Sequence, residues 1–234
     1  MFIFGQNGTG ATDFTDCWDQ NTVRTLPTTA VKLGVSSADA KDTAAGDGGR
    51  TIKIAYLAST YAYAEETLSL NGQTKVETTG LALRVLSAEV LTVGSELDNA
   101  GIIYIYDTSD TVTAGVPQTA TKIFGRISAG DNVMRIGMFT VPLGETWRIL
   151  KLAAYQRDAS ATLRYGMVRL QYREPGGVWL PVPLQSFSSD TKSELDFTNM
   201  PDMALSFSEK TDVRVQADLL EAAPWGCTIW YDKW

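Results

Sequence analysis

Apolar and polar residues alternate along most of this chain with a period of two, the mark of half-buried β-strands. In TIKIAYL, Ile52, Ile54 and Tyr56 share one face and Lys53 lies on the other. In AEETLSLNGQTKVETT, Leu68 and Leu70 alternate with polar residues until Asn71-Gly72 interrupts them. Asn-Gly between alternating runs predicts a type I′ hairpin turn, whose two central residues both take positive φ. LALRVLSAEVLTVG alternates at 81, 83 and 85 and then shifts to 86, 88 and 90. Such a phase slip predicts a β-bulge. A helix is the rival there, because Ala, Leu and Glu are good helix formers. IIYIY, residues 102–106, is β-branched and aromatic and predicts a well-buried strand.

The second half repeats the pattern. RIGMFTVPLGETWRILKLAAYQ predicts two strands joined at Pro142-Leu143-Gly144-Glu145. In GMVRLQYREPGGVWLPVPL, Val168, Leu170 and Tyr172 face one way and Arg169, Gln171 and Arg173 the other, with the turn at Pro175-Gly176-Gly177. Pro181 and Pro183 lack an amide donor, which places the following strand at a sheet edge. TDVRVQADLL alternates from Val213 to Leu219, and GCTIWYDKW predicts a last strand. One strand in roughly every ten residues predicts an all-β chain, an antiparallel β-sandwich or jelly-roll. No helix longer than a turn or two is expected. Residues 31–130 are expected to form one β-sandwich domain and 131–234 a second, or a continuation of the first. Residues 1–30 lack a clear period and are expected to form an N-terminal arm. Phe2, Phe4, Phe14 and Trp18 are costly to leave in water. They are the candidate partner contacts, against the domain or a neighbouring subunit.

Composition narrows the function. With 44% hydrophobic residues over 234 positions, the chain can bury a sizeable core. A net charge of −7 with no basic stripe argues against nucleic acid as the main partner. There is no histidine. That removes the commonest general base and zinc ligand and every Ser-His or Cys-His arrangement. Cys17 and Cys227 are the only cysteines. A disulfide between them is open to a chain whose termini lie close, but two cysteines do not make a secreted framework. They are read here as unrelated thiols. MFIFGQNG lacks a basic n-region and is too short for a signal peptide. No run is long enough to span a membrane as a helix. A soluble protein made in a reducing cytoplasm is expected.

The candidate chemistry is thin. GDGGRT, residues 46–51, precedes a strand and lacks the P-loop lysine, so it fits neither a Walker loop nor a dinucleotide fingerprint. Asp39, Asp42 and Asp47 could offer oxygens to calcium, but at no EF-hand spacing; the competing reading is a flexible loop. Glu65 and Glu66 are adjacent on a strand and point to opposite faces, so they cannot flank one glycosidic bond. Asp107 and Asp110 read as turn acids. SFSEK and SSDTK carry the letters of a Ser-Lys dyad but lie in turn-like segments. Trp147, Trp179, Trp225, Trp230 and Trp234, with Tyr155, Tyr165, Tyr172 and Tyr231, could stack on sugar rings. Core and subunit interface is the preferred reading of them. Arg164, Arg169, Arg173 and Arg214 are expected on polar strand faces, solvated or engaged with neighbouring subunits.

Taken in order, several segments resemble structural proteins of tailed bacteriophages, notably short-tailed marine and cyanobacterial ones. SSADAKDTAAGDGGRTIKIAYLASTYAYAEETLSLNGQTKVETT carries the pattern at Ser36, Ser37, Asp42, Thr43, Gly46, Gly48, Arg50, Glu66, Leu70, Asn71 and Gly72. LRVLSAEVLTVGSELDNAGIIYIYD, GDNVMRIGMFTVPLGETWRILKLAAYQ and EKTDVRVQA continue it. MVRLQYREPGGVW is similar to the family's Arg-x-Arg-x-x-Gly-Gly-Val turn, departing from it in the spacing of Arg169 and Arg173. The resemblance runs from about residue 34 to 232, and MFIFGQNGTGATDFTDCWDQN lies outside it. It implies a non-enzymatic virion protein without a cofactor: a capsid decoration (cement) protein that bridges major capsid subunits on the capsid surface, assembled in the host cytoplasm. A homotrimer at threefold or quasi-threefold points fits the symmetry of such a shell. Neither nucleic acid nor membrane is an expected partner. A tail, neck or fibre component is the alternative, and a carbohydrate-binding β-sandwich module a further one. Deleting the arm is expected to weaken capsid binding without unfolding the domains.

Overall fold

A computed structural model of the chain describes residues 1–7, 13–20, 22–156, 165–182, 185–188, 193–196, 205–219 and 224–234. Its strands, in order, begin with β1 (Phe2–Asn7) and β2 (Thr15–Asp16). There follow β3 (Val31–Ser37), β4 (Gly49–Leu57), β5 (Tyr63–Ser69), β6 (Val76–Ala82), β7 (Arg84–Val93), β8 (Ile103–Asp107), β9 (Val112–Thr113), β10 (Val116–Pro117) and β11 (Ile123–Ile127). The last group is β12 (Met138–Thr140), β13 (Trp147–Gln156), β14 (Tyr165–Arg173), β15 (Leu180–Pro181), β16 (Gln185–Ser188), β17 (Ser193–Asp196), β18 (Leu205–Phe207), β19 (Asp212–Leu219) and β20 (Trp225–Lys233). Their pairings are antiparallel. Among the described residues the sole helical turn is 3-10, at Ala120–Lys122. The all-β expectation therefore holds. The chain divides into two compact units, Arg24–Met134 and Met1–Val23 with Arg135–Trp234.

The 24–134 unit holds a four-stranded sheet, β11-β8-β3-β6, a three-stranded sheet, β5-β4-β7, and the small β9-β10 hairpin. Leu33, Val35, Ile52, Ile54, Leu57, Ile103, Ile105 and Ile127 are fully buried. The expected faces of TIKIAYL and IIYIY are thus in place. The phase slip is a bulge: Ala55 pairs with Ser87 and Tyr56 with Val85, so Leu86 is the extra residue. The Asn71-Gly72 expectation is corrected. Gly72 does take a positive φ of 58°. Yet β5 and β6 pair in different sheets. Asn71 instead bridges to Thr43, and the Gly72 amide donates to Asp42 O at 2.7 Å. The turn carries the chain between sheets rather than closing a hairpin.

Asp42 organises the glycine-rich loop. Its buried carboxylate accepts hydrogen bonds from Ser37 Oγ at 2.5 Å and from the amides of Gly49, Ala100 and Gly101 at 2.6, 2.8 and 2.9 Å. A Cβ at Gly48 would overlap Asp42 Oδ1, so only glycine lets the backbone come this close. Arg50 does not pair with Asp42; its Nε donates to Gly46 O at 2.9 Å. The loop reads as a structural lock on the approach to β4.

The other unit holds the sheet β1-β20-β13-β17, with β18 also on β13, and the sheet β12-β19-β14-β15, with β16 on β14 and β2 on β19. One hydrophobic core draws on both: Ile149 and Leu152 of β13, Trp225, Cys227 and Ile229 of β20, Val168 and Leu170 of β14, and Val213, Val215 and Leu219 of β19. Pro175-Gly176-Gly177 closes the β14–β15 hairpin as expected, with Tyr172 opposite Leu180. Pro181 lies on a strand at the end of its sheet, and Pro183 falls outside the described residues. Pro142-Leu143-Gly144-Glu145 joins strands of different sheets. The described residues of the arm expected over 1–30 are instead part of the folded body. β1 pairs along its length with β20, from Phe2 opposite Trp230 to Asn7 opposite Trp225. β2 pairs with β19, and β3 already begins at Val31.

Two outcomes follow. Asp42→Asn puts an amide donor where three backbone amides already donate, and lowers unfolding stability by about 2–4 kcal/mol in urea titrations followed by circular dichroism. Glu77 on β6 accepts from Thr108 Oγ1 at 2.6 Å and pairs with Lys32 and Lys75, each at 3.2 Å. Thr108 first, then the two lysines, pull its carboxyl down to about 2. Its small contribution to stability is therefore complete above the usual carboxylate range and is lost as pH falls through about 2. Carbon-13 titration of the side chain should inflect near pH 2; an inflection in the ordinary carboxylate range would mean that this cluster does not form.

Candidate functional site

The four expected contact residues separate in the structure. Phe2 and Phe4 lie on β1, on the face turned away from the core. Phe2 stands opposite Trp230, which stands opposite Lys151 of β13, so the three form one row across three strands. The next rows are Phe4, Thr228 and Ala153, then Gln6, Gly226 and Tyr155. Gly226 makes room for the Tyr155 ring, because a Cβ there would meet it at 2.7 Å. That ring stacks on Phe4 with centroids 6.2 Å apart. Lys151 Nζ lies 5.4 Å from the Trp230 ring centroid and the Arg148 guanidinium 5.6 Å from that of Trp234. Arg148 also pairs with Asp232 at 2.5 Å, and this hydrogen-bonded partner raises its pKa. Phe2 is 66% and Trp234 64% exposed. The result is an outward aromatic face edged by cations.

Phe14 and Trp18 are elsewhere. Phe14 lies against Arg169, 3.7 Å from guanidinium to ring centroid, on the far face of the sheet that holds β14 and β19. Trp18 is buried, bridges to Ile136 and donates its indole N–H to Thr22 O at 2.9 Å. Of the two contacts expected of it, Trp18 makes the one within its own domain; a side chain 2% exposed has no free surface for a neighbouring subunit.

The expected solvated arginine face is corrected as well. Arg214 is buried, its Nη2 donating to Gln171 Oε1 at 2.8 Å and its Nη1 3.7 Å from Asp16 Oδ1. Burial lowers its pKa, reinforced by Arg169 and Arg173 and opposed by Asp16. Arg169 donates to Gln216 Oε1 at 2.7 Å, and Gln216 donates to Asp16 at 2.9 Å. Arg173 pairs with buried Asp212 at 2.5 Å, and Asp212 accepts from Thr140 Oγ1 at 2.6 Å. Trp179 lies against both Arg214 and Arg173, at 4.0 and 4.8 Å. These groups form one polar layer, buried at Asp16, Gln171, Asp212, Arg214 and Gln216 and half-buried at Arg169, Arg173 and Trp179. Arg164 and Tyr165, the latter for its side chain, lie outside what is described.

Sequence reasoning placed Gln171 beside Arg169 and Arg173 but missed Asp16, Asp212 and Gln216, which complete that layer. The available signal was unbroken alternation on β19 combined with an equally regular β14, since two such strands side by side stack their polar residues in register.

The remaining candidates do not converge. Asp39 Oδ1 accepts from the Lys41 amide, Asp47 Oδ1 from Ser95 Oγ, and Asp42 from the donors named above. Among the described residues no three His, Cys, Asp or Glu side chains gather as metal ligands. Glu66 accepts from Tyr56 Oη at 2.6 Å and from the Thr79 and Gly80 amides, while Glu65 points away, as the strand geometry requires. Asp107 and Asp110 accept from the Ser109 and Thr119 amides. In SFSEK, Lys210 pairs with Glu209 at 3.3 Å; SSDTK falls largely outside the described residues. Trp147 and Trp225 are core residues, so the tryptophans do not form one platform. An open cleft of about 310 Å³ is lined by Tyr172, Glu174, Leu205, Ser206, Phe207, Ser208 and Thr211. No described helix is long and apolar enough to cross a membrane. Compared with models of protein families, with curated proteins and with solved structures, the chain matches none.

Removing one member of the polar layer strands the rest. Arg214→Ala leaves buried Gln171 Oε1 without the guanidinium that donates to it, removes one of the cations near Asp16, and lowers stability by about 3–5 kcal/mol. Urea unfolding followed by tryptophan fluorescence reads this directly, because all six tryptophans belong to the 1–23 and 135–234 unit. An unchanged midpoint would show that water takes over the arginine's role.

Proposed function

We propose that this chain is a non-enzymatic structural protein of a tailed-phage particle: a decoration protein that binds the major capsid protein on the shell surface and adds cohesion between its subunits. The observation that carries the reading is the aromatic face of the β1–β20–β13 ladder. Phe2, Phe4, Tyr155 and Trp230 sit there on paired strands rather than on a loop, with Lys151 and Arg148 at the margin. Rigid aromatic side chains, already fixed by their strands, lose little entropy on docking and dominate protein interfaces. The ordered resemblance over about residues 34–232 supplies the class of partner. Each unit is read as a β-sandwich, the form that such proteins take. Support comes from the 1–23 and 135–234 unit, whose core receives side chains from both of its sheets. A trimer would bring three such faces onto a threefold point.

The absence of histidine and the use of Asp42, Glu66, Asp110 and Asp212 as acceptors for local donors support a physical rather than a chemical role. The cleft beside Tyr172 and Phe207, with serine, threonine and glutamate around it, favours sugar binding as a second reading. A tail, neck or fibre position remains the structural alternative.

Copy number separates these. Quantitative mass spectrometry of purified virions should find the chain in numbers comparable to the major capsid protein. A handful of copies would move it to the tail or neck, and absence from particles would overturn the virion reading. On the shell, Phe2→Ser with Trp234→Ser should weaken binding to undecorated capsids by at least about tenfold, with the unfolding midpoint unchanged. Deletion of residues 1–30 removes β1 and β2 and strips one side of β20, so it cannot separate lost contact from lost folding. Tryptophan fluorescence that shifts with host polysaccharide would favour the cleft.

A further inference from the structure

Cys17 and Cys227 stand far apart in sequence, and the reading of them as unrelated thiols does not survive the structure. Cys17 follows β2; its amide donates to Val215 O of β19 at 3.0 Å and its carbonyl accepts from the Gly137 amide at 2.6 Å. It therefore belongs to the sheet of β12, β14 and β19. Cys227 lies on β20 of the other sheet, opposite Gly5 on one side and Ala154 on the other. Both side chains are in the shared core, 1% and 0% exposed.

Two glycines bring them together. A Cβ on Gly137 would overlap Cys227 Sγ and lie 2.8 Å from Cys17 Cβ, so both cysteines reach the same point above that glycine. A Cβ on Gly5 would overlap the Gly137 amide and lie 2.8 Å from Cys17 O. Without side chains at these positions, the backbones of β1 and the segment before β12 meet directly, and the space beside them is filled by sulfur. Burial, and then the neighbouring Cys227 thiol, push the Cys17 thiol well above its ordinary pKa.

Other uses of the pair are weak. A buried thiol held protonated is a poor nucleophile. Two cysteines without histidine are too few for a structural zinc site. What two facing thiols across a sheet-to-sheet contact can do is join.

We propose that Cys17 and Cys227 are an oxidisable pair that closes an intramolecular disulfide between the two sheets of this unit. The co-reactant is a small-molecule disulfide of the glutathione type. One protein thiolate attacks it, forming a mixed disulfide and releasing one small thiol. The second protein thiolate attacks the protein sulfur of that mixed disulfide and releases the other. Two protein thiols thus lose two protons and two electrons, and the small disulfide is reduced to two thiols. Both cysteines are buried in the core shared by the two sheets, so the exchange needs this unit to open. Once the bond has formed and the unit has closed, reductant meets the same barrier. The bond would close a loop running from residue 17 to residue 227, which includes the whole 24–134 unit in sequence. Loops of that length give large restrictions of the unfolded chain.

The test uses the full chain. It is incubated with oxidised glutathione in enough urea to open the 1–23 and 135–234 unit, returned to native buffer, denatured and alkylated with iodoacetamide. The expected product has lost about two mass units, takes up no label, runs as a monomer on a non-reducing gel and yields one cross-linked peptide joining the two cysteines. Its thermal midpoint rises on the order of 10 °C and returns with dithiothreitol. Cys17→Ser and Cys227→Ser should each retain a single glutathione adduct and show no such rise. Two retained adducts on the wild-type chain, interchain dimers, or full alkylation of both cysteines would each overturn the proposal. The peptide map of the wild-type chain decides the matter even if a serine variant does not fold.

Discussion

The last strand of the chain is the constraint on which the 1–23 and 135–234 unit depends. β20 is paired on one side by β1 and on the other by β13, and the Met1 ammonium donates to Tyr231 O at 2.9 Å. Its inward residues Trp225, Cys227 and Ile229 occupy the core. None of this exists until both ends of the chain are present together. The 24–134 unit is different, because every ladder within it joins strands between residues 31 and 127. Loop-closure entropy grows slowly with length, but it must be met before a distant pairing returns anything. The pairings of the 24–134 unit are therefore complete without the chain ends, whereas those of the 1–23 and 135–234 unit need both.

The same unit shows how polar residues are placed when both faces of a strand are covered. β19 runs Asp212–Leu219 with Val213, Val215, Ala217 and Leu219 facing the shared core and Asp212, Arg214 and Gln216 facing the polar layer. A buried charge is tolerated only with partners, and here partners come from the neighbouring strand or from β2 in register. Arg24 in the other unit follows the same rule, donating Nε to Phe124 O and Nη2 to Val85 O, each at 2.8 Å. Such networks fix which strand lies beside which. They add specificity of pairing, while the apolar core supplies most of the driving force.

Alternation in a sequence says which residues share a face, and it said so well: Ile52, Ile54 and Tyr56, the β8 run, the bulge at Leu86 and the β14–β15 turn were all legible. It does not say which strand is the neighbour. Asn71-Gly72 has the conformation expected of a hairpin turn at Gly72, yet the flanking strands join different sheets, because Asn71 and Gly72 are tied to Thr43 and Asp42 instead. β1 escaped notice for a related reason. Its outward residues Phe2 and Phe4 are apolar, so FIFGQN does not alternate. Trp18 looked like an arm anchor and is a core residue, while the polar faces of β14 and β19 looked solvated and carry Phe14 against Arg169 and Trp179 against Arg214. The meeting of Cys17 and Cys227 depends on two glycines in other segments, which no local pattern could reveal.

The failure of alternation on β1 is itself informative. A solvent-facing strand position costs nothing when polar, and a phenylalanine there exposes apolar area that water disfavours. On β1 this occurs in two successive outward positions, Phe2 and Phe4, and the adjoining strands continue it with Trp230 and Tyr155. The inward partners on the same strands pack normally, so the departure is confined to one face. A fold under no other demand would place polar residues there. The rings that this unit uses internally are buried in the shared core, as with Trp147 and Trp225. Rings held outward on a rigid ladder serve contact better than chemistry, since a contact surface needs fixed apolar area and a reaction needs a group with spare protonation or lone pairs. On the proposed reading the price in solubility is met by the net charge of −7, and the aromatic rows are where the capsid subunit would seat.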